Sequence, residues 1–157
     1  MAVDVTVTTR INRPPAEVAA YASDPSNAPT WYRRISSVDW VTDPPAVQGS
    51  RMMFCAKFMG RNLRYTYEII DLHPGQTLAM RTSEGPFPMN TVYTWSGIGA
   101  DATQMTLRNH GVPTGFSKLT APLMSFAMRR AMTQDLAALK RILEAKAFPG
   151  GGRDARV

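Results

Sequence analysis

Hydrophobic and polar positions alternate with a period of two along most of this 157-residue chain and switch to a helical period only near its end. Val3, Val5, Val7 and Ile11 interleave with Asp4, Thr6, Thr8 and Arg10, the pattern of a half-buried strand. Pro14 and Pro15 stop that strand and open a helix over 16–22, because the first helical positions need no N–H donor. Asp24-Pro25 supplies a cap and a first residue for a second short helix running toward Trp31 and Tyr32. A second strand is predicted over 35–41. A third over 51–59 sets Met52, Phe54, Ala56 and Phe58 on one face. After the Gly60-Arg61-Asn62 turn, Leu63, Tyr65, Tyr67 and Ile69 line one face of a fourth. Leu78, Met80 and Thr82 mark a fifth, Met89, Thr91, Tyr93 and Trp95 a sixth, and 103–110 a seventh. Turn residues separate these strands and no helical segment does, which predicts an antiparallel meander and not a parallel α/β protein.

The helical period belongs to Met124, Met128, Met132, Leu136, Leu139 and Leu143, with Arg129, Arg130, Lys140 and Arg141 mostly off that stripe. A start at Ser117 would put Pro122 where its missing N–H matters. Thr120 is the expected cap, with Pro122 in the first turn and an end near Phe148-Pro149. The fold class expected is α+β: a curved antiparallel sheet of about seven strands wrapped around a long C-terminal helix, with two short helices after strand 1. A broad sheet that meets one long helix tends to leave a hollow between them. Residues 1–148 are read as one domain and 149–157, with Gly150-Gly151-Gly152, as a flexible C-terminal tail.

Composition narrows the function classes. Hydrophobic residues make up 44% and charged residues 19%, and no apolar run reaches the ~20 residues of a membrane span. The N-terminus lacks the basic and apolar regions of a signal peptide. Cys55 is the single cysteine, so no intrachain disulfide forms, and a cytoplasmic location is expected. The net charge of +6 comes mainly from scattered arginines. Arg51, Lys57, Arg61, Arg64 and Arg81 read as a solvated outer sheet face, with transient contact to an anionic membrane surface as the functional alternative. No nucleic-acid-binding signature is present. His73, His110 and Cys55 are too scattered for a metal set, and Gly97-Ile98-Gly99 is too short for a phosphate loop, so no cofactor is expected.

The order of elements, together with Arg10-Ile11-Asn12-Arg13-Pro14-Pro15-Ala16-Glu17-Val18, Asp24-Pro25 before Trp31, Glu68-Ile69 through His73-Pro74-Gly75 to Leu78, and Asp101-Ala102-Thr103 through Leu107, resembles the START-like (SRPBCC) superfamily. The customary glycine before the last strand's threonine is Ala102 here. The resemblance runs from about residue 3 to residue 146. It implies a helix-grip fold with a pocket between sheet and final helix. Family members bind lipids, sterols, hormones or polyketides, and some are cyclases; the fold does not choose among them.

Candidate site residues follow from the inward faces. Ten methionines are many for this length, and Met80, Met89, Met124, Met128 and Met132 read either as core filling or as a deformable apolar wall. Phe54, Phe58, Tyr65, Tyr67 and Tyr93 join that wall, the tyrosine hydroxyls available to a ligand oxygen. Trp31 and Tyr32 read as a lid or as an anchor of the second short helix. Arg33 and Arg34 read as solvated, with pairing to a ligand carboxylate as the alternative. Asn109 shares a face with Met105 and Leu107, and its amide is expected to bond backbone or ligand. Asp71 has the strand parity of Tyr67 and Ile69 but lies close to a turn where parity slips. No clear inward acid or base is seen. The expectation is a binder of a small hydrophobic or amphipathic ligand, lipid-like or polyketide-like; a polyketide cyclase or aromatase using the same cavity is the alternative, and the oligomeric state is left open.

Overall fold

The computed structural model describes residues 2–58, 60–85, 88–112 and 121–146. The described chain runs β1 (Val3–Ile11), α1 (Pro15–Ala22), a 3-10 turn (Pro25–Asn27), α2 (Ala28–Trp31), β2 (Ile35–Trp40), β3 (Arg51–Phe58), β4 (Arg61–His73), β5 (Thr77–Glu84), β6 (Met89–Ile98), β7 (Ala102–Gly111) and α3 (Ala121–Ala145). This is the α+β helix-grip architecture. The seven strands form one antiparallel sheet in the order β1-β7-β6-β5-β4-β3-β2. The meander from β2 to β7 pairs each strand with its neighbour in sequence. β1 joins the far edge beside β7, so residues 12–34 cross from one edge of the sheet to the other.

Local chemistry explains the crossing. Pro15 starts α1 with Glu17 in its first turn, and α1 buries Val18, Ala19 and Ala22. The Asp24 carboxylate accepts from Ser26 N at 3.0 Å and caps the 3-10 turn. α2 follows for only four residues and buries Ala28 and Trp31.

The alternating faces hold for most of the sheet, and a bulge breaks them once where it matters. Ile69 pairs with Met80 but Asp71 pairs with Ala79, so Ile70 is an extra residue in β4. A one-residue bulge turns every following side chain over. Asp71 therefore leaves the face of Tyr67 and Ile69. It is exposed on the outside, 3.1 Å from His73. On the same outer surface Arg51, Lys57, Arg64 and Arg81 are exposed, while Arg61, exposed at the β3–β4 turn, has the strand parity of Leu63 and Tyr65 instead. Cys55 lies there half-buried between Ser37 and Arg64, whose hydrogen bonds lower its thiol pKa.

α3 lies on the concave face of the sheet and packs most closely along β1. Its last half is tied to the turn after β1. The Arg13 guanidinium donates to Leu143 O at 2.9 Å, Asn12 N donates to Glu144 Oε2 at 2.8 Å, and Lys140 Nζ donates to Arg10 O at 2.7 Å. Leu136, Leu139 and Leu143 are buried to within 2% of full coverage, each contributing about 1.5–3 kcal/mol of apolar burial. The helix ends at Ala145, a little before the end expected near Phe148; the expected cap Thr120 and the tail 149–157 lie outside the described residues.

Candidate functional site

A cavity of about 150 Å³ lies between the sheet and the first half of α3. Strand parity builds its floor. Phe54, Ala56 and Phe58 come from β3; Leu63, Tyr65 and Tyr67 from β4; Met80 and Thr82 from β5; Met89, Thr91 and Tyr93 from β6; and Asn109 from β7. Met124, Met128, Ala131, Met132 and Asp135 form the roof. Tyr32, Arg34 and Ile35 close the side where α2 runs into β2. Arg34, Ile35, Phe58 and Tyr65 are only half-buried, so that side is open to solvent. Gly85 follows β5 beside the same wall: a Cβ there would stand 2.6 Å from Tyr65 Cβ, so only glycine lets the chain pass so close.

Eleven of the twelve residues expected at a ligand wall border this cavity. The exception is Trp31, which is 1% exposed and lies one layer behind, its ring 4.1 Å from that of Tyr32 and 5.9 Å from that of Tyr93. The lid reading of Trp31 does not fit this burial; it anchors α2, and Tyr32 reaches the cavity in its place. Trp95 packs against Tyr93 at 5.9 Å.

The polar groups of the wall form two sets. In the first, Tyr67 Oη lies 2.9 Å from Thr91 Oγ1, and Thr91 Oγ1 donates to Asn109 Oδ1 at 2.5 Å. Thr91 has one proton and spends it on Asn109, so Tyr67 donates to Thr91. Thr91 and Asn109 are directly opposite in the β6–β7 ladder, while Tyr67 reaches over β5. The partner of the Asn109 carbonyl is thus a side chain, where the sequence suggested backbone or a ligand. In the second set, the Tyr32 and Tyr93 hydroxyls meet at 2.6 Å, and beside them Asp135 accepts from Arg33 N at 3.0 Å. Arg34 reaches Gln134 Oε1 at 3.4 Å.

Burial sets the protonation states. The Tyr32, Tyr65 and Tyr93 hydroxyls are pushed well up by loss of water, and burial pushes Tyr67 up to about 12. All four stay neutral donors near neutral pH. Burial raises Asp135 to about 6, opposed by the Arg33 N–H and the charges of Arg34 and Arg33. Asp135 is the inward acid that sequence reading missed. The signal was present: it stands three residues after Met132 and four before Leu139, on the apolar stripe of the helix.

The fold agrees with what known proteins show. The family model described as polyketide cyclase / dehydrase and lipid transport matches residues 2–144. The chain belongs to that family, within the START-like superfamily. Among solved structures, it is similar to the Zhui aromatase/cyclase from Streptomyces sp. R1128, at 20% identity and a TM-score of 0.79, covering 96% of this chain and 99% of that one. A START superfamily protein from Mycobacterium smegmatis matches at 12% identity and a TM-score of 0.77, covering 90% and 97%. A protein from Thermus thermophilus matches at 21% identity and a TM-score of 0.76, covering 92% and 99%. At these identities the likeness is one of fold. No curated protein matches the chain. Among the described residues no helix is long and apolar enough to cross a membrane.

Proposed function

We propose that this protein binds a small hydrophobic or amphipathic molecule in the cavity between its sheet and α3. The observation that carries the reading is a hollow of about 150 Å³ between sheet and helix, where protein interiors are ordinarily close-packed. A comparable engineered void, lined by aliphatic and aromatic side chains, takes up benzene. Ligand pockets more often hold about 300–1,000 Å³, so a one-ring guest fits this cavity as it stands and a larger one displaces wall side chains. Met80, Met89, Met124, Met128 and Met132 supply that give, since thioether chains change rotamer at little cost. The test is native mass spectrometry of protein purified from its own host, with thermal melting across a lipid and polyketide panel. A retained small molecule or a panel member that raises the melting temperature supports the reading. Empty protein and no shift across the panel would overturn it.

Asp135 favours a second reading, a cyclase-type enzyme. A carboxylate at this wall can take a proton from a carbon between two carbonyls while a tyrosine hydroxyl donates to the oxygen that becomes the enolate. The Streptomyces protein of the same fold is named an aromatase/cyclase, which agrees with this chemistry. Turnover of a poly-β-ketone mimic, lost in Asp135→Asn and in Tyr93→Phe, would favour it; no turnover with any carbonyl substrate leaves plain binding. The lone Cys55 fits a cytoplasmic setting, and salt-sensitive liposome binding that survives a blocked cavity would reveal a membrane-surface role for the exposed arginines.

A further inference from the structure

We infer that Asp135 selects the guest: it receives a hydroxyl donor from a neutral amphipathic molecule and turns away guests that carry a carboxylate at that end. The inference rests on the cavity-binding reading above and narrows its ligand class. Asp135 is 4% exposed and borders the cavity. Arg33 N bonds Oδ1, and no further hydrogen bond to this carboxyl is formed among the described residues. Oδ2 is left with acceptor capacity and no protein donor among the described residues; it is not one of the fully buried unpartnered atoms, so it is reachable from the cavity, where a guest hydroxyl or a water can serve it. The Tyr32–Tyr93 contact at 2.6 Å uses one of the two hydroxyl protons, and neither hydroxyl bonds the Asp135 carboxyl among the described residues. Apolar walls from Met128, Met132 and Phe54 then hold the rest of the guest.

The charges around this end favour a neutral donor over a cation. Arg33 and Arg34 bring positive charge to Asp135 from the chain before β2, and Tyr32, Tyr65 and Tyr93 face it as neutral hydroxyls. An ammonium guest would meet those guanidinium charges. A carboxylate guest would meet Asp135 itself across an apolar space, where like charges repel strongly, and the attraction of the arginines offsets this only in part, because Arg33 is exposed to screening solvent and Arg34 is engaged with Gln134 Oε1 at 3.4 Å. An alcohol or phenol meets neither obstacle, and its bond to an ionised acceptor is among the stronger kinds.

The test uses three one-ring probes that differ at one position: toluene, p-cresol and 4-methylbenzoate, titrated into the full chain by ligand-observed NMR. Wild-type protein is expected to bind toluene and p-cresol, and 4-methylbenzoate at least about tenfold more weakly than p-cresol at pH 7.5. Asp135→Leu should weaken p-cresol about tenfold or more and change toluene less than about threefold. Asp135→Asn, which keeps an acceptor oxygen and the shape, should lose only part of the p-cresol affinity. In wild type the penalty on 4-methylbenzoate should shrink as pH falls through about 6, a response that a merely structural Asp135 would not give. If Asp135→Leu does not fold, Asp135→Asn and the wild-type pH series decide. Unchanged p-cresol binding in the folded variants, or a 4-methylbenzoate affinity that is equal to that of p-cresol and flat with pH, overturns the selection role while toluene binding leaves the cavity reading standing. If none of the three binds wild type, both fall together.

Discussion

The two halves of α3 use one apolar stripe for opposite purposes. In the last half Leu136, Leu139 and Leu143 are almost completely covered and tied down through Arg13, Asn12 and Lys140. In the first half Met124, Met128 and Met132 are nearly as buried, yet they border empty space. Solvent exposure alone does not tell the halves apart. Side-chain type does: branched leucine, with few rotamers, where the interior is solid, and unbranched methionine where it is hollow. Asp135 stands at the join, the one carboxylate among the buried residues of the helix.

The largest effect expected is on the solid half. Leu139→Ala should cost about 4 kcal/mol, because the removed atoms leave a void that packed neighbours cannot fill. Denaturant unfolding would measure it, and a loss under about 2 kcal/mol would mean this half is looser than described. Asp135→Asn is next and opposite in sign. The folded carboxyl holds its proton up to about pH 6 and the unfolded one to 3.8. The folded state therefore binds more protons between those values, and wild-type stability falls as pH rises from about 4 to about 6, then levels off. Asn removes that slope and should gain up to about 3 kcal/mol at pH 7, since each tenfold change in proton affinity is worth ~1.4 kcal/mol. Parallel stability profiles of the two proteins across pH 4–7 would contradict a costly carboxylate. The smallest effect belongs to the hollow half. Met128→Ala enlarges a space that already exists and should cost only about 1–2 kcal/mol, while admitting larger guests in the melting assay. A loss equal to that of Leu139→Ala would erase the distinction.

Much of this contrast was legible in the chain. The period-two runs of β3, β4 and β6 placed Phe54, Tyr65, Tyr67, Met89 and Tyr93 on the cavity side, because strand parity is local and needs no partner. Other features were not legible for a shared reason: each is settled by a distant contact or by one irregular residue. The bulge at Ile70 sends Asp71 outward, and alternation cannot foresee an inserted residue. α2 is a single turn, too short for a period to say that Trp31 goes into the core and Tyr32 to the cavity. Asp135 is fixed by a backbone N–H 102 positions earlier, so its stripe position was visible but its partner was not. Asn109 likewise depends on Thr91 from the neighbouring strand.

The Tyr67–Thr91–Asn109 chain has a polarity, and that polarity is reversible. With the Thr91 proton given to the Asn109 carbonyl, the amide N–H groups meet no acceptor among the described residues. Half a turn of that one amide would run every proton the other way, from Asn109 through Thr91 to Tyr67, and would present a carbonyl where donors had been. If the cavity takes a guest as proposed, this wall would suit either a ketone or an alcohol with no change of backbone, a two-way adaptor made from three side chains.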